Sequence, residues 1–290
     1  MSKKIISGLT LLLVAMIWGS AFVAQSKGME YVGPFTYNFS RSVIGAAVLL
    51  PVIAVMSLIR RRSPQKNSYS LKMTLTGGLC CGAVLFPASA LQQLGITMTT
   101  AGKAGFITAL YVVIVPVLGL FLHRKVRPKV WVCVVIAVAG FYLLCVKESF
   151  TVGKGDLLVL CCAVCFSVHI MVIDHFVSKG AEPVMMSSIQ FAAAGLLSLA
   201  PMLALETPSL GALYDARLTI LYAGVLSSGV AYTLQIAAQR HSDPTAATLI
   251  MSLESVFSAL FGWLILGESL TPAELTGCGL VFAAVILAEI

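Results

Sequence analysis

Ten apolar runs, each near the length that a helix needs to cross hydrocarbon, divide this 290-residue chain and restrict its fold more than any motif does. A helix rises about 1.5 Å per residue, so roughly 20 residues cover the ~30 Å of a bilayer core. The runs lie at about 5–24, 35–59, 73–94, 104–122 and 130–146, then at 157–173, 184–205, 218–238, 245–266 and 272–287. They lack period-two alternation and are too long for barrel strands, so helices that satisfy their own backbone groups are expected. Connections such as 147–156 and 206–217 are too short to hold a soluble domain. Charged residues are 11% of the chain, against about 25% in an average soluble protein. The expectation is an all-α integral membrane protein of ten transmembrane helices.

The formal charge of +7 does not point to nucleic acid. The basic residues sit between apolar spans, where cytoplasmic loop charges belong, and form no soluble basic module. With the N-terminus inside, one side collects Lys3, Lys4, Arg60, Arg61, Arg62, Lys66, Lys72, Arg124, Lys125, Arg127, Lys129, Lys179 and Arg240. The other collects Lys27, Lys103, Lys147, Lys154 and Arg217. That bias, strongest in the first half, places both termini in the cytoplasm of a multi-pass protein of the cell membrane. Lys3 and Lys4 ahead of an apolar run also suit a signal peptide. The run is long enough to span, however, and its pattern Ala15-x-x-Trp18-Gly19 returns as Ala163-x-x-Phe166-Ser167, so it is read as a retained span.

All eight cysteines fall inside apolar spans. Cys162 and Cys165 form a CxxC, but Leu160, Ala163, Val164 and Phe166 around them supply no polar support for metal or redox chemistry, and packing is the plainer reading.

The two halves of the chain repeat. A shift of 143 sets Leu91-Gln92 on Leu234-Gln235, Ala104 on Ala247, Leu110 on Leu253, Gly119 on Gly262 and Val138 on Val281. Shifts of 148 and 149 set Trp18 on Phe166, Pro34 on Pro183 and Arg41 on Gln190. The repeats are expected at 5–146 and 155–288. Five spans per repeat is an odd number, so the second copy starts on the opposite side of the bilayer. Such inverted repeats are what many secondary transporters rock about a midplane site.

The chain resembles an EamA-type member of the drug/metabolite transporter superfamily over nearly its full length. The resemblance is carried by Trp18-Gly19-Ser20-Ala21-Phe22, the Pro34 to Arg41 stretch and Ala101-Gly102-Lys103-Ala104. In the second half it is carried by Pro244-Thr245-Ala246-Ala247, Leu253-Glu254-Ser255-Val256-Phe257 and Leu266-Gly267-Glu268. Two departures stand out: Ser255 where the family pattern carries Pro, and His123-Arg124-Lys125 where it carries an LGE-like ending. The resemblance implies ten helices and transport of small solutes, commonly export of amino acids, metabolites or drugs.

Intramembrane polar residues are costly, about 3 kcal/mol for an Arg or Asp at a helix centre, so each needs a partner or a wet cavity. Glu254 stands nine residues after Thr245, about 13–14 Å into its span at the standard helical rise, near the midplane, and the repeat pairs it with Tyr111. It is either a packing carboxylate satisfied by Ser and Thr hydroxyls or a cavity residue able to bind a proton. Arg41, about 9 Å into its span, either snorkels outward or reaches inward to Glu254 or to a substrate carboxylate. Gln92, Gln93 and Gln235 either line two entrances or hydrogen-bond across helices. Trp18, Phe22, Phe166 and His169 either pack or form an aromatic and polar wall. Gly77, Gly78, Cys81 and Gly82 read as close helix packing, and Glu268 as a surface residue. Asp174-His175 is a close acid and His pair, but a solvated helix end is the plain reading.

Candidate substrate-binding residues are therefore Trp18, Phe22, Arg41, Gln92, Tyr111, His169, Gln235 and Glu254. The reading is a secondary transporter of small organic solutes, exporting by alternating access, with a small-molecule substrate, the lipid bilayer and possible proton coupling as partners. No HExxH, P-loop or GxSxG is present, and no cofactor or metal is called for. The spans specify no oligomeric state. Two rivals remain: an intramembrane enzyme using Glu254 with His169 or Arg41, and a sensor or assembly subunit that moves nothing.

Overall fold

The computed structural model describes residues 3–62, 69–123, 126–145, 153–266 and 271–289. In chain order the helices are α1 (Lys3–Gly28), α2 (Pro34–Arg62), α3 (Leu71–Ile96), α4 (Ala101–Thr108), α5 (Tyr111–Phe121) and α6 (Pro128–Cys145). There follow α7 (Lys154–Ser178), α8 (Pro183–Leu205), α9 (Leu210–Asp215) and α10 (Arg217–Leu221). A π-helical segment (Tyr222–Ala231) leads into α11 (Tyr232–Gln239), then α12 (Pro244–Met251), α13 (Glu254–Leu266) and α14 (Pro272–Glu289). Among the described residues there is no strand.

Eight of these stretches are long and apolar enough to cross a membrane, with α4 and α5, α10 to α11, and α12 and α13 each counting as one. Two shorter apolar helices, 128–143 and 275–287, occupy the places of the fifth and tenth expected spans. The side chains left exposed are largely apolar, including Leu58, Leu79, Leu196 and Leu203. Lipid tails, not water, suit such a surface. The chain is a multi-pass membrane protein.

Helix starts are marked by polar caps that take up the first free N–H groups. Ser70 accepts from Met73 N, Thr100 from Lys103 N, Glu182 from Met185 N and Asp243 from Thr245 N. Small residues then set how closely the helices approach. A Cβ at Gly78 would meet Ile189, and one at Gly82 would meet Ala193 and the Gln190 backbone, so α3 lies directly against α8. Gly77 faces Phe176 of α7. The glycine and cysteine stripe is thus a packing face.

The fourth and ninth spans differ from the straight helices expected. Each tightens at its middle: Leu110 N and Val113 N bond to the Ile107 and Leu110 carbonyls, and Leu253 N and Ser255 N to those of Ile250 and Ser252. These i→i−3 bonds are the 3₁₀ pattern, which inside a helix marks a hinge or a strained site. The tightened turns obey the repeat. Thr100 and Asp243, Thr108 and Met251, and Tyr111 and Glu254 are each 143 positions apart. The depth assigned to Glu254 from a uniform rise is therefore corrected: it opens a new helix segment rather than continuing an old one.

Helix neighbours run across the two halves. α2 lies along α8, α6 along α14, α3 along α7 and α8, and α1 along α13 and the π-helical segment. At one end of the bundle Ser7 of α1 donates to Ala238 O at 2.8 Å and meets Ser242 Oγ at 2.6 Å. At the other end Asp156 of α7 pairs with Lys103 of α4 at 2.7 Å and accepts from Thr99 at 2.8 Å.

Lys66, Arg124, Lys125, Gly267 and Glu268 lie outside the described residues, so the surface role expected of Glu268 has no structural account here. His175 is exposed and bonds Lys179 at 3.0 Å, in keeping with a solvated helix end.

Candidate solute-binding cavity

All eight residues singled out from the sequence line one central cavity: Trp18 and Phe22 of α1, Arg41 of α2, Gln92 of α3, Tyr111 of α5, His169 of α7, Gln235 of α11 and Glu254 of α13. They come from both halves of the chain. The same cavity also takes in Gln25, Thr108, Phe166, Ile170, Ser227 and Tyr232.

Arg41 does not snorkel. It is 5% exposed, and its Nη1 donates to Gln25 Oε1 at 3.1 Å. Gln25 is itself held, its Nε2 donating to Ala21 O at 3.3 Å. Nor does Arg41 pair with Glu254, because among the described residues no carboxylate lies within ion-pair distance of it. In the second half, Gln190 stands at the position the repeat matches to Arg41, and its Oε1 lies 3.0 Å from His169 Nε2. Each half thus ties its first span to its second through a buried polar pair.

Glu254 is 3% exposed and its Oε1 has no hydrogen-bond partner. The nearby hydroxyls do not satisfy it. Ser252 Oγ bonds Leu249 O, Ser255 Oγ bonds Ser252 O, and Thr248 Oγ1 bonds Thr245 O. These hydroxyls serve the backbone at the tightened turn instead. The Tyr111 phenol stands beside the Glu254 carboxylate on the cavity wall, close enough for the two groups to interact. Trp18 Nε1, His169 Nδ1 and Gln235 Oε1 are likewise buried without partners. Buried polar atoms are normally paired, so four unpaired ones around a single cavity set it apart from an ordinary packed core.

The glutamines divide. Gln92 Nε2 donates to Thr108 Oγ1 at 3.3 Å on the cavity wall, and Gln235 faces the same cavity from the other half. Gln93 is fully buried off the cavity and donates to Gln25 O at 3.4 Å, a plain interhelical bond.

The aromatic wall centres on a residue the sequence reading passed over. The Tyr232 ring lies 4.8 Å from Trp18, 5.9 Å from His169 and 5.1 Å from Phe191. A signal was available, since Tyr232 stands three residues before Gln235 and so shares its helix face. Ser227 reaches the cavity through the π-helical segment, whose wider turn moves side chains off the α-helical register. Gly224 and Gly229, five apart, let that segment close on Ile44 and Val48 of α2.

The free volume of the central cavity is about 30 Å³, room for a water molecule or two rather than an organic solute. A larger cavity of about 300 Å³ opens at the end where α1 begins, between Lys4, Arg127, His241, Asp243 and Thr245. At the opposite end the Lys103–Asp156 pair joins α4 to α7.

The comparisons with known proteins agree with this architecture. The family model described as the EamA-like transporter family matches twice, over residues 5–146 and 153–289. A protein of Archaeoglobus fulgidus named an uncharacterized transporter is 32% identical over 99% of this chain and 87% of its own length. The uncharacterized transporter YwfM of Bacillus subtilis is 27% identical over 98% of this chain and 94% of its own. The chloroplastic WAT1-related protein At3g02690 of Arabidopsis thaliana is 25% identical over 93% of this chain and 66% of its own. A solved crystal structure shares the fold at a TM-score of 0.77, with 19% identity over 97% of this chain and 96% of that one. With two copies of the family pattern covering nearly all of its length, this chain belongs to the EamA-like transporter family.

Proposed function

We propose that this membrane transporter is a secondary transporter that exports small organic solutes, such as amino acids, metabolites or drugs. It does so by opening the central cavity alternately to either side of the cell membrane. The observation that carries the reading is the gathering of four unpartnered buried polar atoms, drawn from both repeats, round one cavity between them. A structural core would leave those atoms paired or replace them with apolar groups.

Ten spans in two inverted sets of five, with both termini cytoplasmic, account for the helix neighbours. Exchanging the repeats maps the pairs α2–α8 and α6–α14 onto themselves. It maps α3–α7 onto the contact between α1 and the π-helical segment with α11, and α1–α13 onto the contact of α7 with α4 and α5. The two ends of the bundle nonetheless differ. One carries an ion pair between repeats, the other a polar vestibule over a serine contact. A bundle with near-equivalent halves and one closed end is the form expected of one state in an alternating pair.

Among the described residues, Glu254 is the one carboxylic acid on the cavity wall. We assign it the exchange of a proton for solute, which would let a proton gradient drive export without a nucleotide-binding segment. The test is counterflow in proteoliposomes with labelled amino acids, nucleosides and cationic drugs. Accumulation of at least one chemically unchanged solute is expected; no exchange of any of them overturns the reading. Reporter tags placed after residues 66 and 210 are expected on opposite faces of the membrane, and the same face for both removes the inversion.

A further inference from the structure

We propose that the solute carried through this cavity bears a carboxylate, and that Arg41 selects for it; the inference rests on the cavity being the transport site. A guanidinium has five N–H donors in a fixed fork. The one hydrogen bond Arg41 makes goes to Gln25 Oε1, and its remaining donors find no protein acceptor among the described residues. The ionisable groups that reach it electrostatically are Tyr232, Tyr37 and Cys162, with no acid among them. Glu254 lines the same cavity and stays out of ion-pair range. A buried cation without a counter-ion is costly, yet the fold holds this one in place.

The holding is specific. Gln25 is pinned by its own bonds to Ala21 O and, through its backbone carbonyl, to Gln93 Nε2. The guanidinium is therefore oriented before any solute arrives, with its free edge available to an anion. Two parallel N–H···O bonds to a carboxylate are the arrangement such a fork matches. A phosphate monoester carries more charge than a single guanidinium answers, and Arg41 is the only Lys or Arg among the residues lining the cavity. Trp18, Phe22, Phe166 and Tyr232 supply the apolar wall for the body of the solute.

The test is thermal unfolding of the purified full chain in nanodiscs with matched pairs of probes. Alanine, leucine, lactate and isovalerate are each compared with the corresponding primary amide, and methyl phosphate and methanesulfonate serve as anion controls. At least one acid is expected to raise Tm in a dose-dependent way, with its amide inert, since a ligand stabilises the form it binds. Arg41→Gln is expected to abolish that shift while unfolding no lower than the wild type, because it removes an unanswered charge. If Arg41→Gln does not fold, Arg41→Lys keeps the charge without the fork and is expected to bind the same acid at least tenfold more weakly. Amides as effective as acids, a shift that survives in Arg41→Gln, a preference for the phosphate or sulfonate, or no shift from any acid each overturn the inference. Counterflow only of solutes that lack a carboxylate would sink the carboxylate and leave the transport reading standing; no counterflow of anything would sink both.

Discussion

Tyr111 and Glu254, 143 positions apart, each open the second segment of a span that tightens at its centre, and both face one cavity. Both side chains are buried, and they interact with each other. An interruption in mid-span is tolerated where protein or a cavity surrounds it, and Leu249 to Ser255 are all buried. The pair is therefore where the tightened helix turns meet the buried polar groups of the cavity.

Glu254→Gln keeps the shape of the side chain and removes the exchangeable proton. Solute exchange in counterflow is expected to persist, while accumulation driven by an imposed pH gradient is lost. Transport by Glu254→Gln that still follows the pH gradient would show that the proton travels by another group.

Tyr111→Phe removes a buried hydroxyl that meets only the Glu254 carboxylate among the described residues. A single buried hydrogen bond is worth about 1 kcal/mol net, so the variant is expected to unfold close to the wild-type temperature. Its transport rate is expected to fall. A marked drop in Tm would mean that the hydroxyl holds the fold instead.

Asp156 ties α7 to Lys103, Thr99 and the Gly153 amide at the end away from the vestibule. Hydrogen bonds to a charged group are each worth about 1.5–3 kcal/mol, and 1.4 kcal/mol is a factor of ten. Asp156→Asn is expected to raise the reaction rate of a cysteine placed at Gln92, in a background without the native cysteines, tenfold or more toward an impermeant reagent applied from that side. An unchanged rate would rule out the pair as a closure between the repeats.

Gly82→Val and Gly102→Ala form a contrasting pair. A side chain at Gly82 meets Ala193 and the Gln190 backbone, while nothing lies within 4 Å of a Cβ at Gly102. Overpacking costs about 1–3 kcal/mol, so Gly82→Val should lower Tm clearly. Gly102→Ala should hold Tm or raise it slightly, since helix propensity favours Ala over Gly by up to about 1 kcal/mol. Equal effects would contradict the close contact of α3 with α8.

Much of this protein was legible one residue at a time. Apolar runs, the repeat at a shift of 143 and the costly polar residues within spans follow from the sequence, because transfer into hydrocarbon is a local property of each side chain. That is why Trp18, Phe22, Arg41, Gln92, Tyr111, His169, Gln235 and Glu254 could be picked out before any contact between them was known.

Only the tertiary structure decided that these eight share one cavity, that Arg41 meets Gln25 rather than Glu254, and that Tyr232 joins the aromatic wall. It also decided that the fourth and ninth spans tighten at Leu110 and Leu253 and that the eighth widens into a π-helix. The reason is the solvent. Lipid tails are as apolar as leucine, so hydropathy places a helix in the membrane without choosing its neighbours. Small-residue contacts such as Gly224 on Ile44, and the hydrogen bonds made across them, settle which faces meet.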